Sequence, residues 1–281
     1  LGAEKFLDIK CRKTGLQPDA AVLVATIRAL KMHGGVAKED LGTENVAAME
    51  AGFANLDRHL QNLRKFGLDV IVAINRFGSD TDAEVARLSA LCAEAGAPVA
   101  LATHFADGGR GAEDLARAVL EVLDAPRSRP FGLLYPDEMP LAAKIETVAR
   151  EIYGAAAVEY DSRAARKLAE YGERGFGNLP VCIAKTQSSF SADPQRKGAP
   201  SGHVLPVRDV RLAAGAEFVV AICGSIMTMP GLPRVPAANR IGLDAEGNGD
   251  AVEFGQVIAR RQHLAAQYLA AGLGEQVAQL L

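Results

Sequence analysis

The segment Asp69-Val70-Ile71-Val72-Ala73-Ile74-Asn75-Arg76-Phe77 constrains the fold of this chain more than any other stretch. From Val70 to Ile74 it offers no polar face to water, so it reads as a strand covered on both sides. It then ends abruptly in polar and aromatic side chains. A near copy follows in Pro98-Val99-Ala100-Leu101-Ala102-Thr103-His104-Phe105. Strands covered on both faces belong to parallel sheets flanked by helices, where ligands sit outside the carboxyl ends of the strands. Phe77 and Phe105 are therefore expected at neighbouring strand ends, facing one another across a slot suited to a flat heteroaromatic ring. The plainer alternative is that both rings cap the core, the commoner use of an aromatic side chain.

The rest of the chain repeats this alternation. Strand candidates are Ala20–Thr26, Val70–Ile74, Val99–Ala102, Pro180–Ala184 and Phe218–Ile222, each short, apolar and rich in Val, Ile or Ala. Between them lie helical stripes. Met49, Phe53, Leu56, Leu60 and Leu63 recur at spacings of three and four, as do Val85, Leu88 and Leu91, then Leu115, Val119 and Val122, then Leu141, Ile145, Val148 and Ile152. Strands alternating with helices predict an α/β fold, a mostly parallel sheet with flanking helices. Two long segments break the rhythm, Gln187 to Arg208 and the proline-rich Met229 to Asn239, and are expected to be crevice loops. The expected division is an α/β portion over 1–130 carrying the strand ends, a second α/β portion over 131–249 with the long loops, and a helical tail over 250–281.

Charge and cysteine usage narrow the class. With 31 basic and 34 acidic residues the formal net charge is −3, so no global field draws the chain to nucleic acid or an acidic membrane. No apolar run approaches the roughly eighteen residues of a membrane span. Residues Leu1 to Lys10 lack the layout of a signal peptide. Cys11, Cys92, Cys182 and Cys223 lie far apart in or beside apolar runs, which reads as reduced thiols and a cytoplasmic location. The chain opens at Leu1 without a methionine, as though beginning inside a longer reading frame.

Few motifs carry chemistry. The sequence contains no G-x-x-x-x-G-K-[ST] phosphate loop and no G-x-G-x-x-G. Gly34-Gly35 and Gly108-Gly109 follow strand-like segments, where amides can approach an anion but turn chemistry also accounts for them. Lys31 and His33 after the first strand, and Lys185 in Lys185-Thr186-Gln187 after the fourth, are candidate contacts to a nucleotide or another anion. A solvated helix end is the competing reading. The five histidines lack metal-ligand spacing, no metal site is expected, and no catalytic nucleophile signature appears. Residue chemistry alone thus reaches an α/β protein with a polar and aromatic ligand crevice.

Several segments are more specific in wording than in physics. Phe6-Leu7-Asp8-Ile9-Lys10-Cys11-Arg12, the run Val24 to Gly35, the run Lys144 to Gly154, Leu179 to Gln187 and Ile226 to Asn239 all resemble formate–tetrahydrofolate ligase, in family order from Leu1 to about Gly249. The resemblance implies a P-loop-NTPase-related, ATP-dependent ligase that joins formate to tetrahydrofolate through formyl phosphate, giving 10-formyltetrahydrofolate, with small-molecule substrates and a homo-oligomer in the full-length enzyme. It also implies that the pterin lies between two aromatic side chains. The phenylalanine of an Asn-x-Phe strand end corresponds to Phe77. The tryptophan of a Trp-Ala-x-Gly-Gly segment corresponds to Phe105 in Phe105-Ala106-Asp107-Gly108-Gly109, a smaller ring. Gly78 stands where the family has a proline, and Leu101 matches a leucine lining the same pocket. Family members are about twice this long, and their N-terminal half holds the phosphate loop. The expectation is a C-terminal, folate-binding portion that is inactive alone; the alternative is a non-catalytic folate-binding module needing a separate phosphate-loop subunit. The stretch from Phe254 to Leu281 matches nothing in the family pattern.

Overall fold

The apolar run at 70–74 becomes the centre of a parallel sheet. In the computed structural model, which describes residues 2–226, strands β1 (Ala20–Ala25), β2 (Asp69–Asn75) and β3 (Val99–Ala102) lie in that order and all run the same way. Ala20 pairs with Asp69 and Ala25 with Ile74; Val72 pairs with Val99 and Asn75 with Ala102. Ile71, Val72 and Ile74 are fully buried, as a central strand covered on both faces requires.

Helices α1 (Ile27–His33), α2 (Val46–Arg64), α3 (Asp82–Glu94), α4 (His104–Asp107) and α5 (Glu113–Asp124) connect and flank these strands. The first three start at recognisable caps: Thr26 Oγ1 accepts from Ala29 N, Asn45 Oδ1 from Ala48 N, and Thr81 and Glu84 form a reciprocal capping box. The α2 stripe is buried at Met49, Leu56, Leu60 and Leu63. α1 and α2 approach so closely that a Cβ on Gly52 would lie 1.9 Å from Leu30 O, and one on Gly34 would lie 1.8 Å from Ala48 O. Glycine is obligatory at that crossing.

A second, mixed sheet follows. β4 (Ala157–Tyr160), β5 (Val181–Ala184), β6 (Val204–Ala213) and β7 (Phe218–Cys223) take the order β4-β6-β7-β5. β4 with β6 and β5 with β7 are parallel, while β6 and β7 form an antiparallel pair with an irregularity between Val207 and Asp209. Helices α6 (Leu141–Glu151) and α7 (Ser162–Tyr171) accompany it. One hydrophobic cluster takes in Val72 and Ile74 of the first sheet and Val219 and Ala221 of the second.

One expectation is corrected here. The long loop read as Gln187 to Arg208 ends sooner, because β6 begins at Val204. Pro206, Arg208 and Asp209 hide the strand in the sequence, yet Leu205, Val207 and Val210 are buried at alternating positions broken by the bulge. Pro206 sits in register with Glu159. The segment 229–239 and the stretch 250–281 lie outside the described residues. No helix among the described residues is long and apolar enough to cross a membrane.

Candidate functional site

The site grows from the carboxyl ends of β1, β2 and β3. β2 stops at Asn75, and the chain turns back on itself within three residues of Phe77. Phe77 N donates to Asp80 Oδ2 at 2.8 Å and Asp80 N donates to Phe77 O at 3.0 Å, a reciprocal closure that fixes the backbone carrying the ring. Asp80 is buried, and burial pushes its carboxyl above the usual range, opposed by the Phe77 N–H. Its Oδ1 has no partner among the described residues. The Arg28 guanidinium lies over the Phe77 ring, 5.6 Å from its centroid. Gly78, at the exposed tip of the turn, has open space where a side chain would project. Leu101, in register with Ile74, is half-buried and packs against the core from β3.

Phe105 sits three residues beyond β3, on α4. Its segment is tied down at the base: Thr103 Oγ1 donates to Asp107 Oδ2 at 2.7 Å, and Thr103 N to Gly111 O at 2.9 Å. A Cβ on Gly111 would collide with the Thr103 backbone at 2.5 Å, so glycine is needed to close this loop. The loop holds Phe105 96 % exposed. A large apolar ring that the fold presents to water is informative in a way that a buried one is not. The core-capping reading therefore fails for Phe105. Phe77 is half-buried. The two rings make no ring contact with each other; the ring pair among the described residues is His59 with Phe190.

The three cationic candidates are placed differently from the aromatic pair. Lys31 is completely buried on α1, 2.9 Å from the Glu84 carboxylate, and donates to Thr43 O at 2.9 Å. Its charge is spent inside the fold. His33 accepts from Gly198 N on Nδ1 at 3.1 Å, and burial with the Lys197 charge pulls its pKa down to about 4, leaving a neutral ring near pH 7. Lys185 is buried at the end of β5, donating to the carbonyls of Thr186, Ser189 and Ser191 and lying 4.7 Å from the Tyr153 ring centroid. Burial pulls it down to about 7. It organises the loop after β5. That loop is also pinned by Asn55 Nδ2 to Gly198 O at 2.8 Å and by paired hydroxyls of Ser189 and Ser191.

Two residues missed in the sequence reading complete the geometry, Arg28 and Asp80. A signal existed for Asp80, since an aspartate in the turn after a strand commonly hydrogen-bonds nearby backbone. None existed for Arg28, whose contact with Phe77 is made across two strands. Among the described residues no group of three His, Cys, Asp or Glu side chains is placed to hold a metal.

Adjacent parallel strands of this α/β unit end in one anchored and one exposed aromatic side chain, at the carboxyl edge of the sheet where α/β proteins as a class bind their ligands. Comparison with known proteins makes this specific. The family model for formate–tetrahydrofolate ligase matches residues 1–252. Formate–tetrahydrofolate ligase of Zymomonas mobilis is 64 % identical over 246 residues, and that of Paracoccus denitrificans 63 % over 248, each match covering 88 % of this chain and 44 % of the relative. The enzyme of Maricaulis maris is 63 % identical over 247 residues. The chain therefore belongs to the formate–tetrahydrofolate ligase family, and it spans less than half the length of these relatives.

Proposed function

We propose that this chain supplies the reduced-folate site of a formate–tetrahydrofolate ligase, with Phe77 and Phe105 stacking on the two faces of the pterin. The observation that carries the reading is Phe105, a phenylalanine held almost fully in solvent by a tied loop at the strand end next to Phe77. Offset or edge-on ring contacts add about 0.5–1.5 kcal/mol beyond burial, so a flat ligand gains on both sides of such a slot. Leu101 supplies an aliphatic wall from β3 and Gly78 leaves the mouth unobstructed. The reaction served is the ATP-dependent joining of formate to tetrahydrofolate, within a homo-oligomeric cytoplasmic enzyme.

Phosphoryl transfer depends on a lysine, amide donors and a metal ion around the moving group. In this reading that machinery belongs to sequence that the relatives carry outside these 281 residues. Lys31, His33 and Lys185 are not assigned to it, because each is buried or half-buried and already engaged within the fold.

Calorimetric titration of the chain with 5-formyltetrahydrofolate, a stable reduced folate, tests the proposal. Binding is expected for the parent, with a loss of about 1–3 kcal/mol for Phe77→Ala, by analogy with base–aromatic stacking. Identical titrations for the two proteins would overturn it. Formate-dependent release of ADP by this chain alone would overturn the assignment of phosphoryl transfer elsewhere.

A further inference from the structure

Phe77 has two faces, and the strand order decides what stands beside each. β2 lies between β1 and β3. Arg28 comes from the β1 side: Thr26 ends that strand and caps α1, while the buried Ile27 and Leu30 anchor the first turn, so Arg28 leaves the helix beside the end of β2. Its guanidinium lies 5.6 Å from the Phe77 centroid. Phe105 comes from the β3 side.

Arg28 itself is half-buried, and its charge is felt at the neighbouring Asp80 carboxyl. Yet among the described residues it forms no hydrogen bond or ion pair, and the ring of Phe77 is what its guanidinium lies over. A cation attracted to a ring face restrains the rotation of that ring. Asp80 meanwhile fixes the backbone of the same residue through the Phe77 N–H. Backbone and ring are thus held by two separate residues.

We infer that Arg28 is a positioning residue of the folate site: seated on the β1-side face of Phe77, it keeps the opposite face turned toward Phe105 for the pterin. This rests on the stacking reading given above. It adds a requirement that stacking alone does not make, namely that the guanidinium acts through Phe77.

A double-mutant cycle separates the two. Binding of 5-formyltetrahydrofolate to the full chain is measured for the parent, Arg28→Ala, Phe77→Leu and the double variant, with folding checked by thermal melting. Arg28→Ala is expected to weaken binding about tenfold, and the same change beside Phe77→Leu to weaken it less than about twofold, since the ring that Arg28 positions is gone. Parent-like affinity for Arg28→Ala, or an equal loss in both backgrounds, overturns the role of Arg28 while leaving the stack standing. Parent-like affinity for Phe77→Leu overturns the stack itself. Should Arg28→Ala fail to fold, Arg28→Lys replaces it, keeping the charge and removing the planar surface. A threefold loss that vanishes beside Phe77→Leu then supports the inference, and parent-like binding overturns it.

Discussion

Phe105 shows most clearly how a single residue separates binding from folding. Because it is 96 % exposed, it contributes almost nothing to the core, and its removal has no cavity to leave. Phe105→Ser is therefore expected to melt at the parent temperature while binding 5-formyltetrahydrofolate about 1–3 kcal/mol more weakly. Phe105→Trp is expected to bind more tightly than the parent, because the larger indole covers more of a pterin face. Calorimetry and thermal melting on the same preparations check both. A lowered melting temperature with unchanged affinity would mean that the ring is a packing residue after all. Phe77 does not offer so clean a separation, since its backbone is part of the turn closed by Asp80 and its ring carries Arg28.

At the level of elements, the buried pair of Lys31 and Glu84 joins two helix starts to the last turn of α1. Glu84 Oε1 accepts from Asn45 N at 2.8 Å where α2 begins, and Oε2 accepts from Thr81 N at 3.2 Å where α3 begins; Lys31 arrives from α1. Burial alone would raise the Glu84 pKa, but the Asn45 N–H, the Lys31 ammonium and the Thr81 N–H together hold it low. Glu84→Ala would strand a buried ammonium, so it is expected to cost about 3–5 kcal/mol in urea unfolding, whereas the apolar pair Lys31→Met with Glu84→Leu should cost much less than either single change suggests. A loss below about 1 kcal/mol for Glu84→Ala would show that the pair does not tie the helices. This pair also marks the boundary of what was legible in the sequence. β1, β2, β3, β5 and β7 announced themselves as short unbroken apolar runs, although β2 is covered on both faces and β1 leaves Val22 and Val24 exposed; α2, α3, α5 and α6 did so because their stripes are local. β4 and β6 did not, being short or interrupted by Pro206, Arg208 and Asp209. Lys31 read as an anion contact since its partner, Glu84, lies on another helix far along the chain. The aromatic strand ends were legible as a pair, but the exposure of Phe105 and the guanidinium over Phe77 are tertiary facts with no local signature.

For the molecule as a whole, the histidines set the response to acid. Three are held neutral by burial: His33 is pulled down to about 4, His59 lies well below the ordinary 6.5, and His203 is lowered as well, each with cationic neighbours adding to the effect. As the pH falls below 6.5 the unfolded chain binds protons at these positions that the folded chain refuses, down to about pH 4 in the case of His33. Stability is then fully present above pH 6.5 and falls as the pH drops. Asp8 acts in the opposite sense. Burial raises it to about 6, against the pull of the Leu134 N–H and Arg12, so the folded state takes up a proton there between about 6 and 3.8 and regains some stability. Asp80, also raised by burial, acts with Asp8, while the lowered carboxyl of Glu84 acts with the three histidines, and a net loss on acidification is expected. For His33 alone the shift corresponds to about 2 kcal/mol by pH 5, reduced to about 1–2 because the ring is only half-buried. His33→Gln keeps an acceptor for Gly198 N and removes the titration. Urea unfolding at pH 7 and pH 5 should show the parent losing more stability than this variant over the same interval. Equal losses would place the acid sensitivity elsewhere, and no loss for the parent would mean that the buried rings find protons as readily in the folded state as in the unfolded one.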